Sequence, residues 1–71
     1  MELAPQDASA KYWAALVNHR LKNYSGAIAL FRSAAAIDVG NPLIYKRLGE
    51  CYRDTGDIDN ARAAFRKYLD M

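Results

Sequence analysis

Tyr45-Lys46-Arg47-Leu48-Gly49-Glu50-Cys51-Tyr52, followed by Gly56-Asp57 and then Ala61-Arg62-Ala63-Ala64-Phe65, decides the fold of this 71-residue chain. Tyr45, Leu48 and Tyr52 are spaced by three and four residues, which puts them on one face of a helix. Gly56-Asp57 is a turn signal: the glycine reverses the chain and the aspartate caps the returning helix. Ala61 and Phe65, four apart, lie one above the other on that helix. The spacing needs a small residue at Gly49 so that the two backbones can approach, and a ring at Phe65 to fill the gap beyond. The stretch reads as one helix-turn-helix hairpin.

Outward from this stretch the chain repeats itself. A shift of 34 residues lays Ala27, Ala29, Phe31 and Arg32 on Ala61, Ala63, Phe65 and Arg66. The same shift lays Ala15 on Gly49, Val17 on Cys51, Asn23 on Asp57 and Tyr24 on Ile58. Identities gather in the second helix of each unit, and the first helices match in size and polarity. Tyr45-x2-Leu48-Gly49-x2-Tyr52 followed by Ala61-x3-Phe65 resembles the tetratricopeptide repeat signature, with Tyr in place of Trp at its first position. The resemblance implies an all-α fold: two stacked antiparallel helix-turn-helix hairpins, a fragment of an α-solenoid in which each hairpin buries its neighbour's exposed face.

Unit boundaries come from the period. Residues 8–41 form repeat one and residues 42–71 an incomplete repeat two, ending about four residues short. Residues 1–7 look like the tail of a preceding repeat, because Leu3 falls on Ile37, Pro5 on Val39 and Asp7 on Asn41. The chain is therefore expected to be a piece of a longer protein.

Local signals place four helices. Asp7 caps the first, from about Ala8 to Lys22, and Asn23 caps the second, from about Tyr24 to Asp38. Gly40 is expected to end that helix, and Asn41-Pro42 opens the third, with Pro where its missing N–H costs nothing. The third runs to about Thr55, and Asp57 caps the fourth, from about Ile58 to Asp70. The expected core of unit one is Ala10, Ala14, Val17, Leu21 and Tyr24 against Ala27, Leu30, Phe31 and Ala34. That of unit two is Ile44, Leu48, Cys51 and Ile58 against Ala61, Ala64, Phe65, Tyr68 and Leu69.

Composition narrows the function classes. With 52% hydrophobic and 25% charged residues the chain is globular rather than disordered, and it is long enough for one small domain. No apolar run reaches the roughly 20 residues that span a bilayer, so no membrane insertion is expected. Met1-Glu2-Leu3-Ala4-Pro5 lacks the basic start and apolar centre of a secretory signal. Cys51 alone makes no internal disulfide, which fits a reducing compartment and a cytoplasmic location. A net charge of +2, with basic residues spread over all four helices, argues against nucleic acid as the partner.

Chemistry has little to work with. His19 is the single histidine, and no Ser or Cys stands in a nucleophile context, so no enzyme activity is expected. Zinc would need more Cys or His, and Asp54, Asp57 and Asp59 lack the ligand spacing of a calcium loop. No cofactor and no metal are expected.

The apolar residues that the core does not require are more informative. Trp13 and Leu16 with Tyr12 lie off the Ala10-Ala14-Val17-Leu21 stripe, which marks either a binding surface or a contact with a neighbouring repeat. In tetratricopeptide arrays the first helix of each unit lines a concave groove for partner peptides. The resemblance then implies a groove presenting Tyr12, Leu16 and His19, with Lys46, Glu50 and Arg53 added from unit two, and Trp13 beside them. A protein or peptide partner with apolar anchors is expected there. Chaperone-type carboxylate clamps use Lys and Asn one turn apart; the matching positions hold Tyr12 and Leu16, then Lys46 and Glu50. Asp38-Val39-Gly40-Asn41-Pro42 and Gly49-Glu50-Cys51, with Asn23-Tyr24-x2-Ala27-Ile28, are similar to the central repeats of class II chaperones of type III secretion. Repeat ends without polar caps would also let copies pair with one another as homo-oligomers.

Overall fold

A computed structural model describes residues 7–71; of the tail expected in residues 1–7, all but Asp7 lies outside the described residues. Four helices run in order: α1 Ala8–Arg20, α2 Tyr24–Ile37, α3 Pro42–Thr55 and α4 Ile58–Asp70. No strand occurs among the described residues. α1 packs on α2 and α3 on α4, giving two antiparallel hairpins, and α2 packs on α3 to stack them. The chain is an all-α pair of stacked hairpins, as the repeat signature implies.

The ends of the helices explain their lengths. The Asp7 carboxylate accepts from the Ser9 N–H at 2.8 Å, and Asn41 Oδ1 accepts from the Leu43 N–H at 3.0 Å, ahead of Pro42 in the first turn. Asp57 caps α4 twice over, accepting from the Asn60 backbone N–H and from its side-chain amide. α3 closes in a left-handed residue, Gly56 (φ 85°), with Gly56 N–H donating to Arg53 O and Asp57 N–H to Tyr52 O. α1 closes the same way 34 residues earlier. Lys22 N–H donates to His19 O and Asn23 N–H to Asn18 O, but here a lysine holds the left-handed position (φ 64°).

Two expected caps take a different form. Asn23 makes no side-chain cap; its amide instead donates to Asn18 Oδ1 at 2.8 Å. The tight closing turn of α1 draws Asn23 back over the helix it leaves rather than over the one it starts. Gly40 does not end α2, which stops at Ile37 with the Asp38 N–H donating to Ala34 O. Asn41 then turns the chain by bonding Asp38 through both its backbone N–H and its side-chain amide.

Ala27, Phe31, Ala34, Ile44, Leu48, Cys51, Ala61 and Ala64 are buried as expected, and Phe31 is completely enclosed. Phe65 is half-buried and fills the space over Gly49. The expected stripe of α1 is displaced. Val17 (56% exposed) and Leu21 (73%) face solvent, Ala10 and Ala14 are half-buried, and Ala15 is the buried centre of the helix. Tyr12 and Leu16, expected off the core, pack against it. The cause is Phe31, whose ring meets the edge of Tyr12 at 5.6 Å between centroids and an angle of 71°, turning that side of α1 inward. Val17 is the counterpart of Cys51, which sits in a core cluster shared with α2. No described helix covers α1 on that side. Ile58 and Leu69, also expected inside, are exposed on α4, and Leu30, Tyr24 and Tyr68 are half-buried.

Candidate functional site

α1 and α3 run parallel, and two side-chain bridges join them at the same offset of 35 residues. Near one end, Arg47 Nε donates to the Tyr12 hydroxyl at 3.3 Å. Two turns along, His19 Nε2 lies 2.8 Å from Asp54 Oδ2. Leu16 on α1 and Glu50 on α3 fall between these rungs. All of these residues come from the first helices of the two hairpins, so the stacking of the hairpins sets the spacing of the face.

Each rung is extended by a neighbour. Arg47 Nη1 also pairs with Glu50 Oε1 at 3.1 Å. The bonds to Tyr12 and then to Glu50 push the guanidinium above its already high ordinary value, so it holds its charge throughout the physiological range. Arg53 Nε stands 3.6 Å from Asp54 Oδ1. The bond from His19, followed by the charge of Arg53, holds the Asp54 carboxyl below its ordinary range even though slight burial opposes it. His19 is itself held edge-on against Tyr24, 5.6 Å between centroids.

Of the residues expected to line a partner-binding face, Tyr12, His19, Glu50 and Arg53 are thus joined in these two clusters. Leu16 is half-buried against the core, and Lys46 is half-buried with no ion pair among the described residues. Trp13 is set apart: 65% exposed, its ring edge-on to Tyr12 at 6.0 Å, beside a cleft of about 140 Å³ that it shares with Ser9, Asn41 and Leu43. Sequence reasoning missed Arg47 and Asp54. A shift of 34 aligns equivalent residues, whereas side chains that meet across parallel helices pair each residue with one 35 further on. His19 with Asp54 and Tyr12 with Arg47 at that offset were the signal that could have found them.

The face carries an arginine and a carboxylate in each cluster, with the half-buried Leu16 between them. Among the described residues no three His, Cys, Asp or Glu side chains come together as a metal site. Cys51 is buried, and burial followed by the nearby Asp54 and Glu50 charges pushes its thiol up to about 11, so it is neither a thiolate nor within reach of a substrate at neutral pH.

Residues 19–70 match the family model described as tetratricopeptide repeat. This chain belongs to the tetratricopeptide repeat family. No curated protein and no solved structure matches it. The tetratricopeptide repeat is in general a non-catalytic protein–protein interaction module, and in this member the first helices of both hairpins contribute to the bridged face. No helix among the described residues is long and apolar enough to cross a membrane.

Proposed function

We propose that this chain is a non-enzymatic module that grips an extended segment of a partner protein along the α1–α3 face. The observation that carries this reading is the pair of rungs, Tyr12–Arg47 and His19–Asp54, which link the two helices across the face with no partner present, on a register set by α2 packing against α3. Preorganisation lowers the cost of binding. Lys46 supplies a cation that no ion pair among the described residues occupies, Leu16 supplies an apolar contact, and the exposed Trp13 stands beside the face as a further apolar contact for a longer segment. Residues 8–41 and 42–71 then act as two repeat units sharing one binding face. The segment from Asp38 to Cys51 supports a narrower version, in which the partner is a hydrophobic translocator subunit held in the bacterial cytoplasm. Fluorescence anisotropy with a labelled apolar, Pro-containing peptide tests the reading. Lys46→Glu and Leu16→Ser should each weaken binding severalfold; equal affinity for both variants and the parent chain would sink it.

Exposed Val17 and Leu21 on α1, and Leu69 and Met71 at the end of α4, favour a second reading, in which copies stack end to end. Sedimentation over a wide concentration range separates the two. A monomer at every concentration removes the second reading.

A further inference from the structure

We propose that the opposite side of α3, between α2 and α4, is a second docking site, and that its occupant is a short acidic stretch of a partner polypeptide carrying one aromatic side chain. Arg47, Glu50 and Asp54 project from one side of α3, while Tyr45, Leu48 and Tyr52 project from the other and floor a cavity of about 480 Å³. That volume lies within the range of ordinary ligand pockets. Ala36 on α2 and Ala63 on α4 keep the walls low, and both are exposed.

The charge at this groove has one sign. Arg32 stands on the α2 wall and Lys67 on the α4 wall, and no acidic residue among the described ones lines the cavity. Neither cation makes an ion pair among the described residues. The carboxylate nearest along α4, Asp70, lies in an adjoining depression that shares Ala63 and Lys67 with the groove and also holds Arg66, and it makes no ion pair with Lys67. Lys67 Nζ lies 5.2 Å from the centre of the Tyr45 ring, so its charge hangs over the apolar floor.

Length and symmetry choose the occupant. From Tyr45 to Tyr52 the floor runs about 10 Å along the helix, the span of about three residues of extended chain. Two phenol rings suit an aromatic side chain edge to face. Cations on facing walls call for carboxylates on both sides of that ring, which neighbouring Asp or Glu residues of a polypeptide supply. A free amphipathic carboxylate brings one head group to two cations.

The test uses the whole chain and a fluorescein-labelled Gly-Asp-Glu-Phe-Asp-Glu-Gly peptide. Anisotropy should show saturable binding, weakened about tenfold by Lys67→Glu and about threefold by Arg32→Gln. Arg32→Gln should melt with the parent, and Lys67→Glu, which gives up its place over the Tyr45 ring, should melt within a few degrees of it and bind as a folded chain. Amide shifts should move at Ala36, Ala63 and Lys67. Equal binding of the Asn/Gln version of the peptide would overturn the proposal, as would equal binding of a Phe-to-Ala version. So would shifts confined to Leu16 and Lys46, which would assign the peptide to the α1–α3 face, or tighter binding of phenylacetate, which would assign the groove to small carboxylates.

Discussion

The ring of Phe65 lies directly over Gly49: a Cβ added to that glycine would stand 2.7 Å from Cε1 and 2.8 Å from Cδ1 and Cζ. No real Cβ sits that close to a carbon, so α3 and α4 approach only because position 49 has no side chain. The same place in the first hairpin holds Ala15, fully buried beneath an enclosed Phe31. The two hairpins therefore solve one packing problem with different sizes.

Gly49→Ala should destabilise the chain by about 1–2 kcal/mol, because overpacking outweighs the roughly 1 kcal/mol that alanine gains in helix propensity. Ala15→Gly should cost a similar amount, since it removes a buried methyl and adds backbone freedom. Urea unfolding monitored by circular dichroism measures both. A Gly49→Ala variant more stable than the parent would show that the ring has somewhere else to go.

Lys22 and Gly56 close equivalent helices in the same left-handed conformation, and only the glycine is at ease there. Lys22→Gly should stabilise by about 1 kcal/mol, and Gly56→Ala should destabilise by about as much. Gly40 lies outside the left-handed region with open space where a Cβ would go, so Gly40→Ala should be neutral or stabilising by up to about 1 kcal/mol. Thermal melts rank the three variants.

The helices and most of their caps were legible because their signals are local: Asp7, Asn41-Pro42, Gly56 and Asp57 act within a few residues of themselves. Gly49 and Phe65 were legible because the offset between them is fixed by one short turn. The buried side of α1 was not, since Ala10, Ala14, Ala15, Leu16 and Val17 make the helix apolar on more than one side. Its phase is chosen by Phe31, from another helix. Lys22 was hidden for the opposite reason: a lysine carries no signal for the conformation it is forced to adopt. The bridged face was legible in Tyr12, His19, Glu50 and Arg53 but not in their partners, because pairing across helices depends on a register that comes only with stacking.

The His19–Asp54 bridge has a definite pH dependence. The folded Asp54 pKa is depressed, so its contribution is present above the unfolded carboxyl value of 3.8 and is lost as pH falls through the lower folded value. Carboxyl carbon NMR should show Asp54 titrating below 3.8, and His19→Ala should move that midpoint back towards it. An unchanged midpoint in the variant would remove the bond as its cause.

Cys51 should resist alkylation in the folded chain. Its thiol, pushed up to about 11, remains protonated at pH 8 and lies inside the core, so iodoacetamide should label it only when the chain unfolds. Mass spectrometry with and without urea checks this. Rapid labelling without urea would mean that the core opens readily around α3.

The central claim, that the first helices of both hairpins form one preorganised face for a partner segment, is tested most directly by amide chemical-shift mapping. The isotope-labelled chain is titrated with the apolar, Pro-containing peptide. Shifts should appear together at Leu16, His19, Lys46 and Arg53, with those of Ala36 and Ala63 unmoved. Shifts that spare α1 and α3, or a titration that moves nothing, would contradict it.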